Sequence, residues 1–106
     1  MSNPDWKFKR LKVDADLMKT IDDLANLRGE QKADIIGETI DWFINNRSNG
    51  SIAPRYFVSP NDAPYSGMWI KPETFDKINA LAKADNQNAN RVIYTALARY
   101  IEKDKK

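Results

Sequence analysis

One apolar pattern occurs twice in this chain, 57 positions apart. Leu24-Ala25 recurs as Leu81-Ala82, and the same offset pairs Ile21 with Ile78, Ile36 with Ile93 and Ile44 with Ile101. It also pairs Leu11 with Met68 and Val13 with Ile70. Few residues are identical, so what repeats is the order of elements and the phase of their apolar faces. A chain of 106 residues organised in this way is two copies of one small unit, and the unit decides the fold.

The unit is a strand followed by two helices. Lys7 to Val13 ends in alternation, with Leu11 and Val13 on one face and Arg10 and Lys12 on the other, the mark of a half-buried strand. Asp14 can cap a helix whose apolar residues fall at Leu17, Ile21 and Leu24. Gly29 stands where a left-handed C-terminal residue belongs. A second helix spans about Lys32 to Ile44, with Ile35, Ile36, Thr39, Ile40 and Phe43 as its stripe and Trp42 alongside.

The second copy keeps this order. Tyr65 to Ile70 alternates, with Met68 and Ile70 on one face and Gly67 and Trp69 on the other. Pro72 and Glu73 open a helix with the stripe Phe75, Ile78, Leu81, Ala82. Asn86 takes the place of Gly29. Asn88 can cap a last helix with the stripe Val92, Ile93, Ala96, Leu97, Tyr100, Ile101. Residues 46–63, between the copies, hold two prolines and break the pattern, and read as a linker, with Tyr56-Phe57-Val58 packing on something or adding a short strand.

One strand and two short helices cannot enclose a core, and a lone strand leaves its ladder groups unpaired. Two units solve both problems if their strands pair as an antiparallel ribbon and their helices interlock beneath it. The expected fold is therefore mainly α with one short two-stranded antiparallel β-ribbon. The chain forms one intertwined domain over 1–106, with the first unit at 7–45 and the second at 64–103.

Each half resembles a ribbon-helix-helix unit, the fold of the MetJ, Arc and CopG repressors. The residues that carry the resemblance are RLKVDADLMKTIDDLANLRGEQKADIIGETIDWFI and GMWIKPETFDKINALAKADNQNANRVIYTALARYI. Members of this family usually build the fold from two identical chains. This sequence resembles such a dimer fused into one chain.

The resemblance implies a sequence-specific double-stranded DNA-binding transcriptional regulator, a repressor of phage or plasmid type acting in the cytoplasm by occupying an operator. In the family the ribbon lies in the major groove and outward strand residues touch base edges. By position these are Phe8, Arg10 and Lys12 in the first strand and Tyr65, Gly67 and Trp69 in the second. The family also clamps a phosphate at the N-terminus of the second helix. Here that implies the backbone around Gln31, Lys32 and Ala33, and around Asn88, Ala89 and Asn90. A second copy on an adjacent half-site is a further implied partner.

The second strand departs from this pattern, because it offers no base-reading cation. In a ribbon centred on Arg10 and Gly67, Phe8 faces Trp69 and Lys12 faces Tyr65. Three readings stand side by side. The ribbon reads DNA asymmetrically, with aromatics against thymine methyls or sugars. It binds a host or partner protein through Phe8, Tyr65 and Trp69. Or the second strand is turned so that Trp69 joins the core.

Composition narrows the chemistry. The chain has no Cys and no His, which removes disulfides, thiolate metal sites, cysteine nucleophiles and the commonest general base. No phosphate loop, metal cluster or nucleophile–base pair is present, so neither an enzyme nor a metal or cofactor is expected. No apolar run approaches the ~20 residues of a membrane span, and MSNPDWKFKR lacks the apolar stretch of a secretory signal.

Bland readings apply too. Lys7, Lys9, Arg10 and Lys12 can be a solvated strand face or a guard against edge pairing. Trp6, Trp42, Tyr94 and Tyr100 fill the core. The tail EKDKK is a frayed end in which Lys105 and Lys106 add weak phosphate attraction. A net charge of +2 gives little non-specific DNA affinity, so a DNA role depends on specific contacts.

Overall fold

The alternation in the two short segments is realised as strands. β1 (Lys7–Lys12) and β2 (Tyr65–Ile70) pair antiparallel as a two-stranded sheet. Leu11, Met68 and Ile70 turn inward and are buried, and Val13 continues that face just past β1. The structure, a computed structural model, describes residues 5–104. Each strand leads into two helices. α1 (Ala15–Arg28) and α2 (Lys32–Ser48) follow β1, and α3 (Pro72–Ala84) and α4 (Ala89–Asp104) follow β2. The molecule is thus mainly helical with one two-stranded antiparallel sheet.

The offset of 57 holds at the level of single hydrogen bonds. Gly29 and Asn86 both sit in the left-handed region, at φ 65° and 57°. Glu30 N–H donates to Ala25 O at 2.9 Å, and Gln87 N–H donates to Ala82 O at 2.8 Å. Gly29 N–H to Asn26 O and Asn86 N–H to Lys83 O are both 3.3 Å. The same C-terminal turn therefore ends α1 and α3, once with the residue that needs no Cβ room and once with one that tolerates the conformation.

The core draws on both halves. Ile21, Ile36, Ile40 and Phe43 from the first pack in one cluster with Ile78, Val92, Ile93 and Leu97 from the second. α2 packs on α3 and α4, and it also touches β2, while α4 touches β1. Each second helix thus lies against the other half's strand. Each fully buried aliphatic side chain contributes about 1.5–3 kcal/mol. A separated half would return the inner faces of α2 or α4 to water.

The starts of α3 and α4 follow their chemistry and that of α1 does not. Pro72 occupies the first turn of α3, and Asn88 Oδ1 accepts the Arg91 N–H at 2.8 Å as an N-cap of α4. Asp14 precedes α1 but makes no side-chain cap. Its carboxylate instead accepts the Tyr94 hydroxyl at 2.7 Å.

Several expectations need correction. α2 continues four residues past Ile44, to Ser48, so the non-helical connection begins later than position 46. That connection forms no strand and is no loose tether. Phe57 N–H donates to Thr95 Oγ1 at 2.9 Å, and Arg99 donates to Ala53 O at 2.7 Å, which docks the segment along α4. Tyr56 and Phe57 pack against the core, whereas Val58 is exposed.

At the other end of the chain, Glu102 and Lys103 belong to α4 rather than to a frayed tail. Glu102 pairs with Arg55 at 2.7 Å. Lys105 and Lys106 lie outside the described residues. Tyr94 and Tyr100 are buried, Trp42 meets Tyr100 edge-on at 5.5 Å, and Trp6 is half-buried. Among the described residues no helix is long and apolar enough to cross a membrane.

Candidate nucleic-acid interface

The register pairs Arg10 with Gly67, Phe8 with Trp69 and Lys12 with Tyr65. Because side chains alternate across a strand, these six residues share the face turned away from the helices. Phe8, Tyr65 and Trp69 are 50%, 58% and 40% exposed. Trp69 is therefore not a core residue, and the reading that turned β2 over is excluded. The apolar inner positions Met68 and Ile70 hold the register, since a slip of one residue would carry them into water.

The face has two unlike ends. Phe8 and Trp69 pack at 5.0 Å between centroids with their planes tilted by 57°. The Phe8 ring lies diagonally over Gly67, so a Cβ at that position would overlap it. Gly67 is thus the seat of an aromatic ring as well as a gap in the row of side chains. At the other end the Arg10 guanidinium lies over the Tyr65 ring, 4.4 Å from its centroid. Lys12 Nζ lies 5.4 Å from the same ring and donates to Asn61 O at 2.7 Å. A guanidinium held on an aromatic plane keeps its edge donors free and loses less rotamer freedom on binding.

The helix N-termini are unequal as well. Asn88 and Asn90 line one groove with Arg10, Lys12, Tyr65 and Arg91, so the start of α4 and the cationic end of the ribbon form a continuous surface. Ala89 lies between the two asparagines in the chain. The first turn of α4 carries no acidic residue.

At α2 the groove beside Ala33 is lined by Glu30, Asp34 and Glu38 together with Lys71, and by no ribbon residue. Gln31 precedes the helix without a side-chain cap. Lys32 Nζ lies 3.5 Å from Asp22 Oδ1. A carboxylate in the first turn stabilises the helix through its dipole and repels a phosphate from the same place.

Of the twelve residues singled out from the sequence, the structure thus gathers Arg10, Lys12, Tyr65, Asn88 and Asn90 into one surface. It sets Phe8, Gly67 and Trp69 beside them as an apolar end. Arg91 and Asn61 were not anticipated. Arg91 lies one turn into α4 and its guanidinium bonds Gln87 Oε1 at 3.2 Å. Its offset from Asp34, 57 positions, was the available signal. Comparison with protein-family models, curated proteins and solved structures finds no match.

Proposed function

We propose that this chain is a double-stranded DNA-binding transcriptional regulator of ribbon-helix-helix type, its two units fused as a pseudo-dimer. The β1–β2 ribbon lies in the major groove, which is wide enough for two strands. The protein acts by binding, in the cytoplasm, and represses by covering an operator. The observation that carries this reading is the exposed Arg10 guanidinium, braced on Tyr65 in the outward row of a two-stranded sheet. Such a group matches the paired O6 and N7 acceptors of guanine. The adjoining groove with Lys12, Asn88, Asn90 and Arg91 supports contacts to the flanking phosphates.

The test is selection from a random double-stranded DNA pool at moderate salt, with an Arg10→Ala/Lys12→Ala variant in parallel. Wild type enriches a motif that the double variant loses. Arg10→Ala alone costs about 1–3 kcal/mol and relaxes preference at one base pair. A folded wild type that enriches nothing overturns the reading. The second reading is a protein-binding module, favoured by the exposure of Phe8, Tyr65 and Trp69. Under it, Trp69→Ala abolishes capture of the partner while duplex DNA is ignored.

A further inference from the structure

We propose that the ribbon reads a polar, non-palindromic DNA site, with guanine under its Arg10 end and thymine methyl groups under its Phe8–Trp69 end. This rests on the DNA reading above and goes beyond it by assigning base chemistry to each end.

The argument starts from the internal symmetry. The offset of 57 maps Arg10 onto Gly67, Lys12 onto Trp69, Phe8 onto Tyr65 and Arg91 onto Asp34. Two identical units would present the same groups to the two halves of a site and would require a palindrome. Here every outward position changes its chemistry under the symmetry, except the exchange of one aromatic ring for another. The buried inner positions stay apolar, Leu11 mapping onto Met68 and Val13 onto Ile70. The fold keeps its twofold symmetry while the face loses it.

Each end then has a chemical preference. Arg10 and Lys12 are cations, and the groove beside them continues to Arg91. Acceptor-rich guanine and nearby phosphates satisfy them. Phe8 and Trp69 offer two packed rings without charge. Pressed against a base edge rich in donors and acceptors, they would strip it of water and return at most the one hydrogen bond of the Trp69 indole N–H. The apolar group that the major groove offers is the C5-methyl of thymine. Gly67 sharpens this preference, because it leaves room for the tip of the Phe8 ring to cross the ribbon while the ring packs against Trp69.

The experiment uses the full chain and a duplex carrying the site it selects. Thymines at the end footprinted by Phe8–Trp69 are replaced one at a time by deoxyuridine, which removes only the methyl group. Guanines at the other end are replaced by 7-deazaguanine, which removes only N7. Deoxyuridine at the aromatic end raises Kd about 3- to 5-fold, the worth of one buried methyl group. Deoxyuridine elsewhere in the site has no effect.

Trp69→Ala and, separately, Phe8→Ala abolish the deoxyuridine effect and keep the 7-deazaguanine effect. Arg10→Ala does the reverse. A palindromic motif, or indifference to deoxyuridine at every position, overturns the proposal while leaving the DNA reading in place. Failure to enrich any duplex overturns both.

Discussion

The hydroxyl of Tyr94 in α4 donates a 2.7 Å hydrogen bond to Oδ1 of Asp14, 80 residues earlier. The bond ties the helix of one half to the residue that leads the other half's strand into α1. Burial, reinforced by the Asp14 carboxylate, pushes the Tyr94 phenol up to about 12. Tyr94→Phe removes the bond and leaves an exposed carboxylate that water can solvate, so the cost is about 1 kcal/mol in urea unfolding.

The same phenol sets a limit at high pH. Tyr56 and Tyr100 are also raised, in each case chiefly by burial. A phenol whose pKa is higher in the folded than in the unfolded chain stabilises the fold fully below its ordinary value of 10.0. That contribution is lost as pH rises through the folded value. Denaturant midpoints are therefore flat up to about pH 9 and fall steadily above about pH 10. In Tyr94→Phe the fall is shallower.

A second prediction concerns the clasp between α2, α3 and the connecting segment. Arg47 donates from Nε and Nη2 to the two oxygens of Asp85, each at 2.8 Å, and from Nη1 to Ile52 O at 3.0 Å. Tyr56 adds a 2.6 Å bond to Asp85 Oδ2. Both partners of the ion pair are largely buried, at 14% and 10% side-chain exposure. Asp85→Asn leaves Arg47 without its counter-charge and costs about 2–4 kcal/mol by urea unfolding.

The hydrogen bonds from Arg47 hold the Asp85 carboxyl below its usual value. Its stabilisation is present above the ordinary carboxylate range and disappears as pH falls through the folded value. Wild type therefore loses more stability than Asp85→Asn between about pH 4 and pH 2.

The paired helix ends give a third prediction, free of packing effects. A Cβ at Gly29 would meet nothing within 4 Å, so only the backbone conformation resists it. Gly29→Ala costs about 1–2 kcal/mol. Asn86→Gly changes stability by a few tenths of a kcal/mol at most. Equal losses at both positions in chemical unfolding would contradict the shared left-handed turn.

Much of this architecture was legible in advance because it is periodic. The strand-to-strand register centred on Arg10 and Gly67 follows from two strands of fixed apolar phase, and the structure places Phe8 opposite Trp69 accordingly. β2 falls on Tyr65–Ile70 as expected, and α3 begins at Pro72. What periodicity does not encode is a contact made once. Arg47 and Asp85 lie 38 positions apart in segments of turn-like composition, and neither belongs to a stripe. The seat that Gly67 provides for Phe8 depends on a diagonal across the sheet, so from sequence alone the glycine is an empty position. Asp14 shows two donors competing for one carboxylate: the residue type fits a cap for the first N–H groups of α1, but the Tyr94 hydroxyl claims the side chain.

A fourth prediction separates the outer face of the ribbon from the shared core. Trp69 is 40% exposed, and Trp69→Ala lowers thermal stability by no more than about 1 kcal/mol. Ile36, at 1% exposure, stands inside the shared cluster, and Ile36→Ala costs about 2–5 kcal/mol. Comparable losses from the two variants would mean that the aromatic end holds the fold together.

The segment docked along α4 joins halves that share a core. In a two-chain assembly of this kind, folding is a second-order event and dilution unfolds the protein. Here the partner unit is always attached, so folding is first-order and the unfolding midpoint is the same at nanomolar and at micromolar protein. Covalent linkage also means that one gene encodes both halves of the face. A change in one half is therefore never copied into the other, and the two ends of the ribbon are free to diverge while the apolar seam between them stays matched.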